Sequence, residues 1–208
     1  MSATSAPFGL RPAFHPSGLD RAQALAGGIV SGYSNNILKG QAIIYSTSGL
    51  STGGSTNGTI TIATAPASGS ASSYPMTGAF DGVEWTDTTG RRRVSNYWPA
   101  NTAYIAGSCV AYFYNDPNIV YEIQADGSMA QTSIGNEYLL TNTTAGSTTT
   151  GLSQTTLGSA TAVGNGVQGQ LRVVDLAPYV DNAWGDAYTT VRVVIANSQF
   201  FGSVTAIA

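Results

Sequence analysis

His15 and Cys109 are the only imidazole and the only thiol in this 208-residue chain. A multi-histidine metal site or a multi-cysteine zinc site therefore cannot be assembled within one subunit, and a histidine-based catalytic triad is not expected. A lone cysteine forms no intramolecular disulfide, and a buried, inert thiol is the expected role of Cys109. Carboxylates offer the remaining chemistry. Asp81, Glu84 and Asp87 fall on one predicted hairpin, and Glu122 and Asp126 on a second. Glycoside hydrolysis needs two carboxyl groups held about 5–9.5 Å apart. These acids, however, occupy strand ends and the polar face of a strand, where solvated surface is the expectation. Asp175, Asp181 and Asp186 in DLAPYVDNAWGDAY could hold Ca²⁺ with help from backbone carbonyls, but their spacing departs from the EF-hand loop. The glycine-rich stretches contain neither GxxxxGK[ST] nor GxGxxG after a strand. No enzyme and no cofactor are expected.

The elements that would have to position such groups are strands. Charged residues make up 9% of the chain, against about 25% in ordinary soluble domains. Gly, Ser, Thr, Asn and Ala take their place, and β-branched and aromatic residues favour a pleated sheet. Eleven acids oppose eight bases, giving a net charge of −3, and only Arg91-Arg92-Arg93 clusters. Binding to nucleic acid needs many basic phosphate contacts and is not expected. The arginine cluster reads as a solvated strand end. A chain of this length buries about 70% of its unfolded surface without disulfides. No run reaches the roughly 18 apolar residues of a membrane span. The first residues also lack the basic and apolar regions of a secretory signal, so synthesis in a cytoplasm and no membrane partner are expected.

The best-specified sheet segment runs from Tyr104 to Gly127. Cys109–Tyr114 and Ile119–Ala125 read as strands. In the second, Ile119, Tyr121, Ile123 and Ala125 share one face, and Val120, Glu122, Gln124 and Asp126 the other. Asn115-Asp116-Pro117-Asn118 predicts a tight reversal between them, and Asp126-Gly127 a second one. Further strands are expected at Ile29–Tyr33, Gln41–Tyr45, Thr59–Ala65, Ala79–Asp87, Arg91–Trp98, Glu137–Thr143, Gly169–Leu176 and Thr189–Asn197, with short helices at Asp20–Ala26 and Met129–Ile134. Residues 142–170 carry no charge and read as a long loop with short strands anchored by Leu152, Leu157 and Val163. The expected fold is all-β, an antiparallel sandwich or barrel with long Ser/Gly/Thr-rich loops. Its organisation is an extended N-terminal arm, 1–18, followed by a β-rich domain, 19–208, divisible into lobes at 19–127 and 128–208.

The arm holds Pro7, Pro12 and Pro16 among Phe8, Leu10 and Phe14. Prolines at this spacing disfavour a helix, and the large apolar side chains are costly to leave in water, at about 1.5–3 kcal/mol each. The arm must lie on its own domain or on a neighbouring subunit. Phe8, Leu10, Arg11, Pro12 and Phe14 are the candidate assembly interface, with the β domain expected to fold without them.

Four segments, APFGLRPAFHPSG, GVEWTDTTGRRRVSNYWPA, YNDPNIVYEIQADG and GQLRVVDLAPYVDNAWGDAYTTVRVVI, together resemble the head decoration, or capsid cement, proteins of tailed bacteriophages. The resemblance covers both ends and the middle and leaves the Ser/Gly loops unmatched. It transfers no catalytic residues. It implies a β-rich structural virion protein on the outer surface of the capsid, cementing adjacent capsomers, with the major capsid protein and itself, as a homotrimer, for partners. The low charge suits permanent assembly, because obligate interfaces are depleted in charge. A carbohydrate-binding surface module of a head fibre or tail component is the alternative, with eleven Tyr and three Trp available to stack on sugars.

Overall fold

The computed structural model describes residues 4–18, 25–46, 58–67, 69–71 and 73–200. Two antiparallel sheets account for almost all regular structure there and lie in a sandwich-like arrangement, with no closed barrel. The first sheet runs β1 (Arg11–Phe14), β8 (Val120–Gln124), β14 (Thr190–Ile195), β13 (Leu171–Leu176), β9 (Glu137–Thr141), β12 (Thr156–Ala162). The second runs β2 (Leu25–Gly27), β7 (Val110–Tyr114), β5 (Gly78–Thr86), β3 (Ala42–Ser46), β4 (Thr59–Ile62), with β6 (Arg92–Ser95) paired to β5. A ribbon of β10 (Gly146–Ser147) and β11 (Leu152–Ser153) stands apart, and Gln131–Ser133 form a single 3-10 turn.

The period of two places the core. Ile119, Tyr121, Ile123 and Ala125 are buried together with Val191 and Val193 of β14, and Leu171 and Val173 of β13. Leu10, Ala42, Met76 and Ala79 close this layer from the other side. The second sheet also buries its opposite face. There Ile43, Ile60, Phe80, Val83, Ala111 and Phe113 pack against Ile29, Ile37, Trp98 and Tyr104. Trp98 meets Trp85 and Tyr104 edge-on at 5.3 and 5.8 Å, a favoured aromatic geometry. A register shift between Phe80 and Gly82 makes Asp81 an extra residue in β5. The bulge resets the alternation, so that Phe80 joins Val83 and Trp85 on one face. Cys109 is buried in the same cluster, and burial pushes its thiol up to about 11.

Several expectations need correction. Asn115–Asn118 is not a hairpin turn, since β7 belongs to the second sheet and β8 to the first. Tyr114 and Ile119 both turn into the inter-sheet core, and the link between them carries the chain from one layer to the other. The change of sheet thus falls before β8, not at Gly127. Asp126-Gly127 makes no hairpin either, because β8 pairs with β1 and β14. The Asp126 carboxylate instead accepts the Ser159 N–H at 2.7 Å and its hydroxyl at 2.8 Å. Ile29–Tyr33 is not a strand. The strand lies earlier, at Leu25–Gly27, in part of the expected helix Asp20–Ala26, whose residues 20–24 lie outside the described ones. Gly28 bridges instead to Thr59 of β4, its N–H donating to the Gly58 carbonyl, and a turn at Ser31-Gly32 then ends the extended run. Residues 142–170 are more ordered than their composition suggests, with β10, β11 and the seven-residue β12 inside them.

Gly78 shows how tightly β5 and β7 are joined. A Cβ there would stand 1.6 Å from the Tyr114 carbonyl oxygen, which is backbone and cannot swing away. Gly78→Ala is expected to destabilise the fold by about 3 kcal/mol or more, at or beyond the top of the usual overpacking range. A urea midpoint within error of wild type would refute this reading.

Candidate functional site

The N-terminal segment reaches the domain by crossing the turn at Leu38–Gln41 at very short range. The Leu10 N–H donates to the Gly40 carbonyl at 2.7 Å. Gly9 and Gly40 both take left-handed φ values, +74° and +80°. A Cβ on Gly9 would lie 2.4 Å from the Gly40 oxygen, and one on Gly40 2.8 Å from the Phe8 oxygen. Only glycine allows this crossing. Beyond it, Leu10 drops into the inter-sheet core with 0% exposure, and β1 adds to the edge of the first sheet through Arg11↔Glu122 and Pro12↔Tyr121. Upstream, the Gln124 amide accepts the Ala6 N–H at 2.8 Å and donates to the Thr4 carbonyl at 3.2 Å.

The crossing leaves a cleft of about 150 Å³ between the segment and both sheets. Phe8, Leu10, Phe80, Tyr114 and Leu152 form most of its apolar wall. Lys39 and the bulge residue Asp81 face each other on the wall at 2.8 Å, so the β5 bulge supplies this site with its acid. Tyr114 is held above the ordinary phenol range by burial, with Asp81 adding to the shift.

Arg11, on the rim, lies 4.4 Å above the Phe8 ring and binds Glu122 at 2.8 Å. Tyr179 completes a triad: its hydroxyl accepts from Arg11 and donates to Glu122. Arg192 lies 3.6 Å from the second Glu122 oxygen. Burial alone would raise the Glu122 carboxyl. The Tyr179 hydroxyl and the two guanidinium groups outweigh that and hold it below its ordinary range. This corrects the expectation of a solvated Glu122, which is 6% exposed.

Of the candidate interface residues, Phe8, Leu10, Arg11 and Pro12 come together in the cleft wall, while Phe14 stands outside it, 53% exposed. The arm does not stand apart from the domain, because Leu10 is part of the core and β1 part of the sheet. Sequence reasoning missed Lys39, Tyr114 and Tyr179, and named Asp81 only as a solvated hairpin acid and Leu152 only as a strand anchor in the long loop. Lys39 carried one signal, being the only lysine in the chain. Four of the other acids have local partners. Glu84 binds Arg92, and Asp87 binds Arg93 at 2.9 Å. Asp175 accepts the Leu176 N–H, and Asp186 the Ala183 N–H. His15 Nε2 lies 3.2 Å from Asp116, and its Nδ1 accepts the Ser17 N–H. Among the described residues no three of His, Cys, Asp or Glu are grouped to hold a metal, and no helix is long and apolar enough to cross a membrane. The cleft can seat one compact apolar group beside an ion pair.

Compared with known proteins, the chain matches no family model, no curated protein and no solved structure.

Leu10→Ala is expected to cost about 2–5 kcal/mol, measured by chemical denaturation. Glu122 stabilises the fold while ionised. That contribution is complete above the unfolded-state pKa and is lost as pH falls through the lower folded-state value. Glu122→Gln should therefore lower stability at pH 7 and flatten the loss of stability below pH about 4. An unchanged acid limb would show that other carboxylates govern it.

Proposed function

We propose that this chain is a structural virion protein that seats on the outer surface of a bacteriophage capsid, cements adjacent capsomers and associates with itself as a homotrimer. The observation that carries the reading is the cleft under the N-terminal segment. An apolar hole the size of one side chain, rimmed by an arginine and aromatic rings, matches the anchor pockets of protein–protein interfaces. A substrate site would instead be a larger cavity with convergent polar groups. The fold supports the reading too, since a charge-poor sandwich with its N-terminal segment laid across both sheets is stiff, and binding then costs little ordering entropy. A sugar site is favoured less. Phe8 is covered by Arg11; Trp98, Tyr121, Phe80 and Phe113 are buried; and the rings exposed among the described residues, Phe14, Tyr74, Tyr179 and Phe200, do not line the cleft.

Co-sedimentation with mature capsids lacking this protein tests the reading. Saturable binding at a fixed ratio to capsomers is expected, with Leu152→Arg weakening it by about tenfold or more, together with self-association, on the scale of 1.4 kcal/mol per decade. Absence of binding, together with retention on a glycan array, would favour the carbohydrate-binding alternative.

A further inference from the structure

Val180 is the most exposed large apolar side chain among the described residues, and it shows no contact with its own subunit's cleft. Such a residue at the tip of a floppy loop would mean little. This loop is pinned. Asn182, itself buried, donates from its amide to the Ala177 and Thr190 carbonyls at 2.9 and 2.7 Å and accepts the Thr190 N–H at 2.9 Å. The Asn182 N–H donates to Tyr179 at 3.2 Å, and the Tyr179 hydroxyl is tied to Glu122 and Arg11. The segment Pro178–Asp181 is therefore a preorganised knob, with Val180 at its tip and the exposed Asp181 beside it.

The cleft is the matching hole. A cavity of about 150 Å³ lined by aliphatic and aromatic side chains accepts a group as large as benzene, so a valine fits and a drug-sized ligand does not. Its rim carries two ion-paired cations whose side chains are near half exposed, Arg11 and Lys39, against their less exposed partners Glu122 and Asp81. The acid on the knob meets the excess of exposed positive charge around the hole. We propose that the cleft of one subunit receives Val180 of a second copy, with Asp181 placed against Lys39 or Arg11. Each copy carries both knob and hole, so the contact is either mutual, giving a pair, or head-to-tail, giving a ring where the rotation closes. The inference rests on the self-association proposed above and names its surfaces, but it does not depend on capsid binding.

The test uses the full chain. Light-scattering mass is expected to be a multiple of the monomer, and Val180→Asp should weaken self-association by about tenfold or more without loss of folding. Because Cys109 is buried, Val180→Cys and Leu152→Cys report on the contact directly. Mixed and oxidised, the two variants should give a covalent dimer that neither gives alone. A wild-type monomer at all concentrations would overturn the proposal. An oligomer indifferent to Val180→Asp and giving no mixed cross-link would overturn it equally. If Leu152→Arg abolished capsid binding while leaving the oligomer mass unchanged, the cleft would belong to the capsid and not to a second copy.

Discussion

The passage of Gly9 over Gly40 is the constraint on which the rest of the molecule turns. Two backbones meet there at a distance no side chain permits, and one hydrogen bond, Leu10 N–H to Gly40 carbonyl, fixes the crossing. Three things follow at once. Leu10 is delivered to the layer between the sheets, Arg11 is set opposite Glu122, and Phe8 is left as the lip of a hole. The Lys39 carbonyl, one residue away, accepts the Ser153 N–H at 2.9 Å and brings Leu152 of the ribbon to the opposite wall. The site is thus a by-product of how a terminal strand is fastened, and it cannot be loosened without loosening the sandwich.

With so few charges, the chain stitches its layers together with amides. Gln170 accepts the Leu140 N–H and donates to the Thr64 and Tyr74 carbonyls, linking the first sheet to the segments that flank the second. Gln41 accepts the Leu38 N–H and reaches the Thr143 carbonyl. A buried amide satisfied in this way holds a register without the desolvation cost of an ion. Where ions are buried the cost shows. Glu137 is fully enclosed, and burial pushes its carboxyl up even though the Gly169 N–H and Arg172 bind it at 2.7 Å each.

The sequence showed the strands more readily than their partners. Alternation in Ile119–Ala125 identified a buried face correctly, because that side of the strand lies against the core. The same rule failed on Glu122 and Gln124, since the polar face of β8 is covered by the N-terminal segment and the Tyr179 loop, which no local period reports. Asn115–Asn118 has the composition of a hairpin turn and serves instead to change sheets; composition records that the chain bends but not in which plane. Phe8, Leu10, Arg11 and Pro12 stood out as residues that had to lie on something. That this something is their own subunit depends on Gly9 and Gly40, which lie 31 positions apart in sequence and signify nothing separately. The opposite wall of the cleft was hidden for a related reason. Asp81 reaches it through a bulge, and a bulge is invisible to a period of two.

The pairing of β1 with β8 has a temporal side. Residues 11 and 122 are partners, so β1, which is made before β8, has no sheet to join until more than half the length of this chain has followed. At synthesis rates of about 5–20 residues per second, roughly 6–20 seconds separate the two. β14, the other neighbour of β8, arrives later still. During that interval Phe8, Leu10 and Phe14 travel unburied, on a chain whose prolines keep it extended and deny it a helix in which to hide them. Long-range pairing of this kind slows folding. A strand made early is then among the last to be secured, and the nascent protein carries its own apolar tether in the open until the sandwich closes over it.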